Sequence, residues 1–132
     1  MGTDGNYVDY PVCEQGSWGA DFYGNLRPLP GELIINKHRY SAFIGTDLDL
    51  TLKSRGIRTL IMAGVGTSVC VESTAREGFM RDYYIVMLGD CTASPLEESH
   101  KHALKQTGLF FGTVTGSEEV VKCWSQVAPE EG

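Results

Sequence analysis

Residues 59–76 read TLIMAGVGTSVCVESTAR, and this stretch decides the fold of the chain. Its first seven residues, Thr59–Val65, are continuously apolar, which is typical of a parallel strand that is covered on both faces. A glycine turn follows. The sequence then predicts a helix from about Ser68 to Met80, because apolar residues recur on one helical stripe at Val71, Ala75, Gly78 and Phe79. Strand, turn and helix in this order predict a unit of an α/β sheet.

Similar units lie on both sides of this stretch. We expect further strands at residues 33–35, 83–88 and 110–114. We also expect helices from an N-cap near Thr46 to a terminal Gly56, from a capping box at Ser94 to Gly108, and from Ser117 to just before Pro129. Alternating strands and helices with short links predict a doubly wound parallel α/β sheet over residues 31–128. Residues 1–30 contain five glycines and three prolines and predict an irregular lead-in.

Composition excludes several classes of protein. The chain has 132 residues, the length of one domain, and a net charge of −6 without a basic run, so nucleic acid and anionic membranes are poor partners. Its longest uncharged stretch, Thr59–Val71, is 13 residues and too short to span a membrane. The first residues do not resemble a secretory signal, so we expect a cytoplasmic protein whose four cysteines are free thiols. No C-x-x-C motif occurs, which argues against zinc-ribbon and thioredoxin-type sites.

Cys70 is the candidate nucleophile. It lies in the first turn of the helix that follows strand 59–65, at the carboxyl end where α/β sheets bind ligands. The helix dipole and the unpaired amides of a first turn favour a thiolate over a thiol, and the same amides can bind an oxyanion. The alternative is a small buried residue beneath a helix start.

Three other groups are weaker candidates. Lys37 directly follows strand 33–35 and could supply positive charge to a thiolate, although composition alone favours a solvated strand end. The segment 90–92, Asp-Cys-Thr, either lines a pocket at the same sheet edge or turns the chain. His100 and His102 are two residues apart on a helix, so they do not face one metal, and we expect both to face solvent. The sequence therefore predicts no metal site and no cofactor.

Several motifs resemble the isochorismatase-like cysteine hydrolase superfamily. They are KHRYSAF at residues 37–43, GVGTSVCVESTAR at 64–76 and DCTA at 90–93. The lead-in CEQGSWG at residues 13–19 is most similar to the branch that contains ureidoacrylate and N-carbamoylsarcosine amidohydrolases. This resemblance implies a three-layer α/β/α fold with six parallel strands in the order 3-2-1-4-5-6.

The resemblance also implies a catalytic set of Asp, Lys and Cys. Matched by motif, Lys37 is the lysine and Cys70 the nucleophile. A cis peptide is implied between Val65 and Gly66, and the amides of Gly66 and Cys70 are implied to bind the oxyanion. The aspartate belongs to a D-x-Q-x-D-F type motif that this sequence does not contain, and Asp4, Asp9 and Asp21 lie in other contexts. We therefore expect an N-terminally truncated domain that has the third to sixth strands and lacks the first two.

Two functions remain open at this stage. The first is a cysteine hydrolase that cleaves a linear C–N bond of a small amide, ureido or carbamoyl compound through a thioester, with Trp18, Tyr40 and Phe43 as candidate substrate contacts. Isochorismate hydrolysis is disfavoured because cleavage of a vinyl ether needs no thiol, and nicotinamidase activity because no histidine precedes Lys37. The alternative is a non-catalytic truncated α/β remnant or interaction module, whose apolar strand edges would favour association, including a homo-oligomer.

Overall fold

The computed structural model describes residues 13–127, which divide into two compact units between Ile34 and Ile35. In the first unit, residues 13–34 contain one 3₁₀ turn at Trp18–Ala20 and otherwise lack helices and strands. Arg27 donates a hydrogen bond to Asp21, which holds the pKa of that carboxyl below its usual range. The expected irregular lead-in therefore has a local ion pair of its own.

The second unit, residues 35–127, is an α/β domain. Its elements in chain order are α1 (Leu48–Ser54), β1 (Thr59–Val65), α2 (Glu72–Met80), β2 (Tyr84–Ala93), α3 (Glu97–Gln106), β3 (Thr113–Thr115) and α4 (Ser117–Gln126). Two π-helical turns, Thr67–Val71 and Thr107–Phe111, complete the list. The three strands are parallel in the order β1-β2-β3, which confirms the predicted parallel α/β sheet. Among the described residues, no helix is long and apolar enough to cross a membrane.

Strand β2 has a large bulge that interrupts its pairing with β1. Thr59 to Met62 pair in register with Tyr84 to Met87, but Gly64 then pairs with Thr92. One residue of β1 therefore faces four residues of β2, numbers 88–91. Gly64 has a φ of +116°, which only glycine adopts readily, so the sequence provides a glycine where the two strands resume pairing.

Helix α1 ends as the sequence predicts. The amide of Gly56 donates to the carbonyl of Lys53, and that of Ile57 to Leu52, which together form a Schellman motif. Gly56 has a φ of +67°, the left-handed conformation that this motif requires.

Two predicted strands differ from the structure. Residues 33–35 form no strand, and Leu33 and Ile34 are exposed, because in the described part of the chain no strand lies beside them to complete a hydrogen-bond ladder. The strand predicted at 110–114 begins only at Thr113, because residues 107–111 extend α3 as a π-helical turn. The prediction of a strand at Leu33–Ile35 is therefore wrong, and that of the last strand is wrong in its first three residues.

Helix α3 also begins later than predicted. Its N-cap is Leu96, without a side-chain hydrogen bond, and the hydroxyl of Ser94 has other partners. The capping box predicted at Ser94–Glu97 is therefore wrong.

The core lies between helices and sheet. Its buried members are Phe43, Val71, Ala75, Tyr83, Ile85 and Met87, and Leu48, Leu52, Leu60, Met62, Leu104 and Val114 pack against them. Met87 and Ala75 are fully buried, so β2 and α2 meet at the centre of this core. Val71, at the end of the turn that carries Cys70, belongs to the same cluster.

Candidate active site

The five residues Thr67–Val71, here called the cysteine turn, connect β1 to α2 as a single π-helical turn. The carbonyl of Gly66 accepts the amides of Val69 at 3.1 Å and of Val71 at 3.3 Å. Cys70 is a free thiol and partly exposed. Isolated π turns occur often at functional sites, and this one places a thiol beyond the carboxyl end of a parallel strand.

The entry to the cysteine turn has an unusual backbone. The peptide bond between Val65 and Gly66 is cis. Gly66, the N-cap of the turn, has extended φ and ψ angles of −89° and 134°. A Cβ atom at Gly66 would meet Ser94 Oγ at 3.7 Å and the Ala93 carbonyl oxygen at 3.8 Å, which are ordinary contacts.

Ser94 holds the cysteine turn from the end of β2. The amide of Ser68 donates to Ser94 Oγ at 3.0 Å, and the two hydroxyl oxygens are 3.1 Å apart. The β2 bulge makes this contact possible, because it brings Ala93 opposite Val65 and so places Ser94 beside the turn. The local sequence around Ser94 predicts a helix cap and gives no sign of this contact.

His100 holds the same turn from α3. Its Nδ1 lies 2.8 Å from Oγ1 of Thr67, a residue with no exposed surface. The expectation that His100 faces solvent is therefore wrong, whereas His102 is exposed as predicted. A signal for this was present in the sequence, since residues 100, 103, 104 and 107 follow one helical stripe, and Ala103 and Thr107 on that stripe are buried.

Thr74 links the cysteine turn to the segment that follows Lys37. Its hydroxyl donates to the carbonyl of Cys70 at 2.8 Å and accepts the amide of Ala42 at 3.0 Å. Thr74 is only 8% exposed, so both bonds are protected from water. One buried hydroxyl therefore joins the two segments from which the sequence predicts the catalytic lysine and cysteine.

Lys37 is much less constrained than Cys70. The side chain is exposed, and its Nζ donates to the carbonyl of Arg39 at 3.0 Å. Within the described residues, the hydrogen bond of this ammonium is local and does not involve the Cys70 sulfur. The role of Lys37 in catalysis therefore remains a proposal.

The three aromatic candidates have different surroundings. Phe43 is 4% exposed and stacks on Tyr83 with ring centroids 5.8 Å apart, so it is a core residue and we remove it from the candidate substrate contacts. Tyr40 is 51% exposed in the second unit. Trp18 is 82% exposed in the first unit, where it lines a shallow depression with Ser17 and Asp21.

Asp90 has a structural role. Its carboxylate accepts the amide of Ser117, at 2.9 and 3.0 Å, and the Ser117 hydroxyl at 2.6 Å, so it caps the start of α4. The hydroxyl bond, followed by the amide bond, holds the pKa of the Asp90 carboxyl below its usual range. Of the two interpretations of residues 90–92, the structure favours a chain-shaping role for Asp90.

Surface grooves do not single out the candidate site. A groove of about 660 Å³ lies at the amino ends of the strands, between Arg58, Tyr84 and Thr113, and contains none of the predicted site residues. Among residues 13–127, no three His, Cys, Asp or Glu side chains form a group that could hold a metal ion. The cysteine turn is the candidate site because of its chemistry and its position at the sheet edge.

A comparison with protein families identifies the class of this chain. The isochorismatase domain family matches residues 3–119, so the chain belongs to that family. The family assignment agrees with the parallel sheet and with the strand–turn–helix unit that carries Cys70.

Individual relatives make the likeness more specific. Ureidoacrylate amidohydrolase RutB of Methylobacterium radiotolerans is 45% identical over 105 residues, which are 79% of this chain and 41% of that enzyme. The chain thus spans less than half the length of this relative.

Solved structures confirm the fold. An isochorismatase-like hydrolase from Alkaliphilus metalliredigens superposes with a TM-score of 0.79 at 41% identity, over 83% of this chain and 60% of that one. N-carbamoylsarcosine amidase from Thermoplasma acidophilum superposes with a TM-score of 0.75 at 29% identity, over 82% of this chain and 61% of that one.

Proposed function

We propose that the chain acts as a cysteine hydrolase on the C–N bond of small ureido or carbamoyl compounds, with Cys70 as its nucleophile. The observation that supports this most strongly is the position of Cys70, partly exposed in a tightly held turn at the carboxyl end of β1. Two of the similar enzymes support the ureido and carbamoyl class, namely a ureidoacrylate amidohydrolase and an N-carbamoylsarcosine amidase.

The proposed reaction has two steps. The Cys70 thiolate attacks the carbonyl carbon, an S–C bond forms, the C–N bond breaks, and the nitrogen leaves after it takes up a proton. Water then attacks the thioester, the S–C bond breaks, and the acid and the thiol are released. The amides of Gly66 and Cys70 are proposed to donate to the oxyanion that forms in each step.

Lys37 is proposed to pair its ammonium with the thiolate and to orient the substrate carbonyl. Its exposed stem and local bond allow Nζ to exchange the Arg39 carbonyl for a charged partner at little cost. The family resemblance gives proton transfer to an aspartate whose motif is missing from this sequence, and we assign that role to no residue of the chain. Attack by the thiol and protonation of the leaving nitrogen therefore need separate tests.

An activated ester isolates the first step. The leaving group of p-nitrophenyl acetate departs as a stable anion and needs no proton donor. Cys70 should therefore be acylated by this ester without the help of a second catalytic residue. We expect a burst of one p-nitrophenolate per chain and an acetyl group on the Cys70 peptide by mass spectrometry. Cys70→Ala should abolish the burst and Cys123→Ser, which changes an exposed thiol, should retain it. An equal burst in Cys70→Ala would overturn the assignment of the nucleophile.

A substrate panel tests the second part of the proposal. Ureidoacrylate, N-carbamoylsarcosine and nicotinamide are offered to the chain under single-turnover and multiple-turnover conditions. Preference for the first two supports the ureido and carbamoyl class, and preference for nicotinamide contradicts it. Full turnover at rates typical of intact enzymes would show that this chain supplies its own proton donor.

A second candidate function is that of a non-catalytic interaction module. It is favoured by exposed apolar side chains on β1, where Val65 is 74% and Ile61 37% exposed.

Alkylation rates separate the hydrolase from the interaction module, because a module needs no activated thiol. Equal rates at Cys13, Cys70, Cys91 and Cys123 at pH 7 would favour the module, and a much faster rate at Cys70 would favour the hydrolase.

A further inference from the structure

His100 is bonded to the first residue of the cysteine turn, across 33 positions of sequence. The distance between His100 Nδ1 and Thr67 Oγ1 is 2.8 Å. Thr67 has no exposed surface, so neither water nor a solvated group can replace this partner without movement of the chain. Loss of the imidazole would leave a buried hydroxyl without its hydrogen bond, which is costly in a folded protein.

The position of Thr67 determines that of Cys70. Both belong to one five-residue turn, and the Gly66 carbonyl just before Thr67 accepts the amides of Val69 and Val71 on either side of Cys70. A single π turn is rare and occurs frequently at functional sites, so the contacts that fix this one bear directly on Cys70. His100 provides such a contact for the first residue, and Ser94 provides another for Ser68.

We propose that His100 is a positioning residue that holds Cys70 in its reactive orientation through the side chain of Thr67. This inference rests on the proposed role of Cys70 and adds a residue that the family's Asp, Lys and Cys do not include. His100 does not contact the thiol in this scheme and takes no proton from it. Its contribution is the hydrogen bond that anchors the start of the turn to α3.

Three variants of His100 and its neighbour test the proposal. His100→Leu removes the polar atom, whereas His100→Asn keeps one at the position of Nδ1. His102→Leu is the matched control, because His102 lies on the same helix and is exposed. The readout is the alkylation rate of Cys70 with iodoacetamide at pH 7, divided by the rate of Cys123 in the same molecule.

We expect His100→Leu to lower this ratio about fivefold, the change that loss of one hydrogen bond brings to an equilibrium. His100→Asn should restore it to within about twofold, and His102→Leu should leave it unchanged. Thr67→Val should lower the ratio by the same factor as His100→Leu. The double variant Thr67→Val with His100→Leu should lower the ratio no further than either single variant. An unchanged ratio in His100→Leu, or an equal loss in His102→Leu, would overturn the proposal.

Hydrogen exchange separates positioning from general destabilisation. In His100→Leu the amides of Val69 and Val71 should exchange faster, while those in β1 and β2 remain protected. Uniform loss of protection with a parallel fall in Tm would contradict a specific role.

Hydrolysis of the substrate panel is measured separately. Its absence in the wild-type chain would refute the proposed function, whereas the exchange pattern would still decide the role of His100.

Discussion

The cysteine half and the lysine half of the candidate site are held to very different degrees. Around Cys70, side chains from three elements converge, namely Ser94 at the end of β2, His100 on α3 and Thr74 on α2. Lys37 lies in an exposed segment without regular secondary structure, and its ammonium donates to the carbonyl of Arg39, two residues further along the chain. This contrast means that the fold holds the segment of Cys70, the proposed nucleophile, whereas Lys37, the proposed cation, can still adjust its position.

The largest effect is expected in the framework of the sheet, at Gly112 near the amino ends of β2 and β3. A Cβ atom there would overlap the carbonyl oxygen of Ile85 and lie 2.7 Å from its Cβ, and neither backbone can move without disturbing the β2–β3 pairing. Gly112→Ala should lower the free energy of unfolding by about 3 kcal/mol. Urea denaturation measures this.

Gly108→Ala is the control, since a Cβ atom there meets only Val114 at 3.6 Å. A Gly112→Ala chain as stable as the Gly108→Ala chain would show that the framework is not rigid at this point.

The next effect concerns the hydroxyl that joins the two halves. Thr74→Val keeps the shape of the side chain but removes the partner of the Ala42 amide and the Cys70 carbonyl. We expect the free energy of unfolding to fall by about 1–3 kcal/mol, because the partly buried Ala42 amide is left without an acceptor. Thermal unfolding measures it, and Thr74→Ser should recover most of the loss.

Thr113→Val, at an exposed threonine, serves as the control for Thr74. If Thr74→Val lowers the stability no more than this control does, the hydroxyl of Thr74 does not couple the cysteine half of the site to the lysine half.

A smaller and pH-dependent effect is expected at the Asp90 cap. The lowered pKa of Asp90 means that its ionised form stabilises the fold. This stabilisation is complete above the ordinary aspartate pKa and is lost as the pH falls through the lower folded-state pKa. Asp90→Asn should therefore be less stable than wild type at pH 7, and the difference should shrink below about pH 4. Unfolding curves at several pH values measure it, and a pH-independent difference would contradict the cap.

The smallest effect on stability is expected at Lys37. Lys37→Met keeps the stem but removes the charge, and because the residue is exposed the free energy of unfolding should change by less than about 0.5 kcal/mol. The burst rate with p-nitrophenyl acetate should nevertheless fall about tenfold, as expected when a charge-assisted contact is lost. Lys105→Met, at an exposed lysine of α3, should change neither quantity. A normal burst in Lys37→Met would restrict the site to the cysteine half.

The sequence predicts well where local rules are sufficient. The apolar run at Thr59–Val65 forms a strand with those bounds, and Gly56 ends α1 in the expected left-handed conformation. Prediction from the sequence fails where the structure of a segment depends on a partner that is distant in the chain. Leu33–Ile35 forms no strand because no described strand lies beside it, although its composition is that of a strand.

The same limit applies to the candidate site. Position along the chain makes Cys70 a candidate, because a strand followed by a helix defines the sheet edge. The roles of Ser94 and His100 depend on the β2 bulge and on the packing of α3, and neither is encoded in the local pattern around Cys70. Local preference favoured a cap for Ser94 and solvent for His100, and tertiary contacts overrode both.

The β2 bulge has a consequence for how this domain tolerates changes in chain length. Residues 88–91 face a single residue of β1, and of these Leu88 also pairs with Thr115 of β3. Residues 89–91 therefore form an excess of chain between the part of β2 that builds the sheet and the part that reaches Ser94. An insertion or deletion there would not shift the register of Thr59–Met62 against Tyr84–Met87. It would instead move Ser94 relative to Ser68 and Asp90 relative to Ser117. Length variation among homologues at this point would therefore retune the site and leave the fold unchanged.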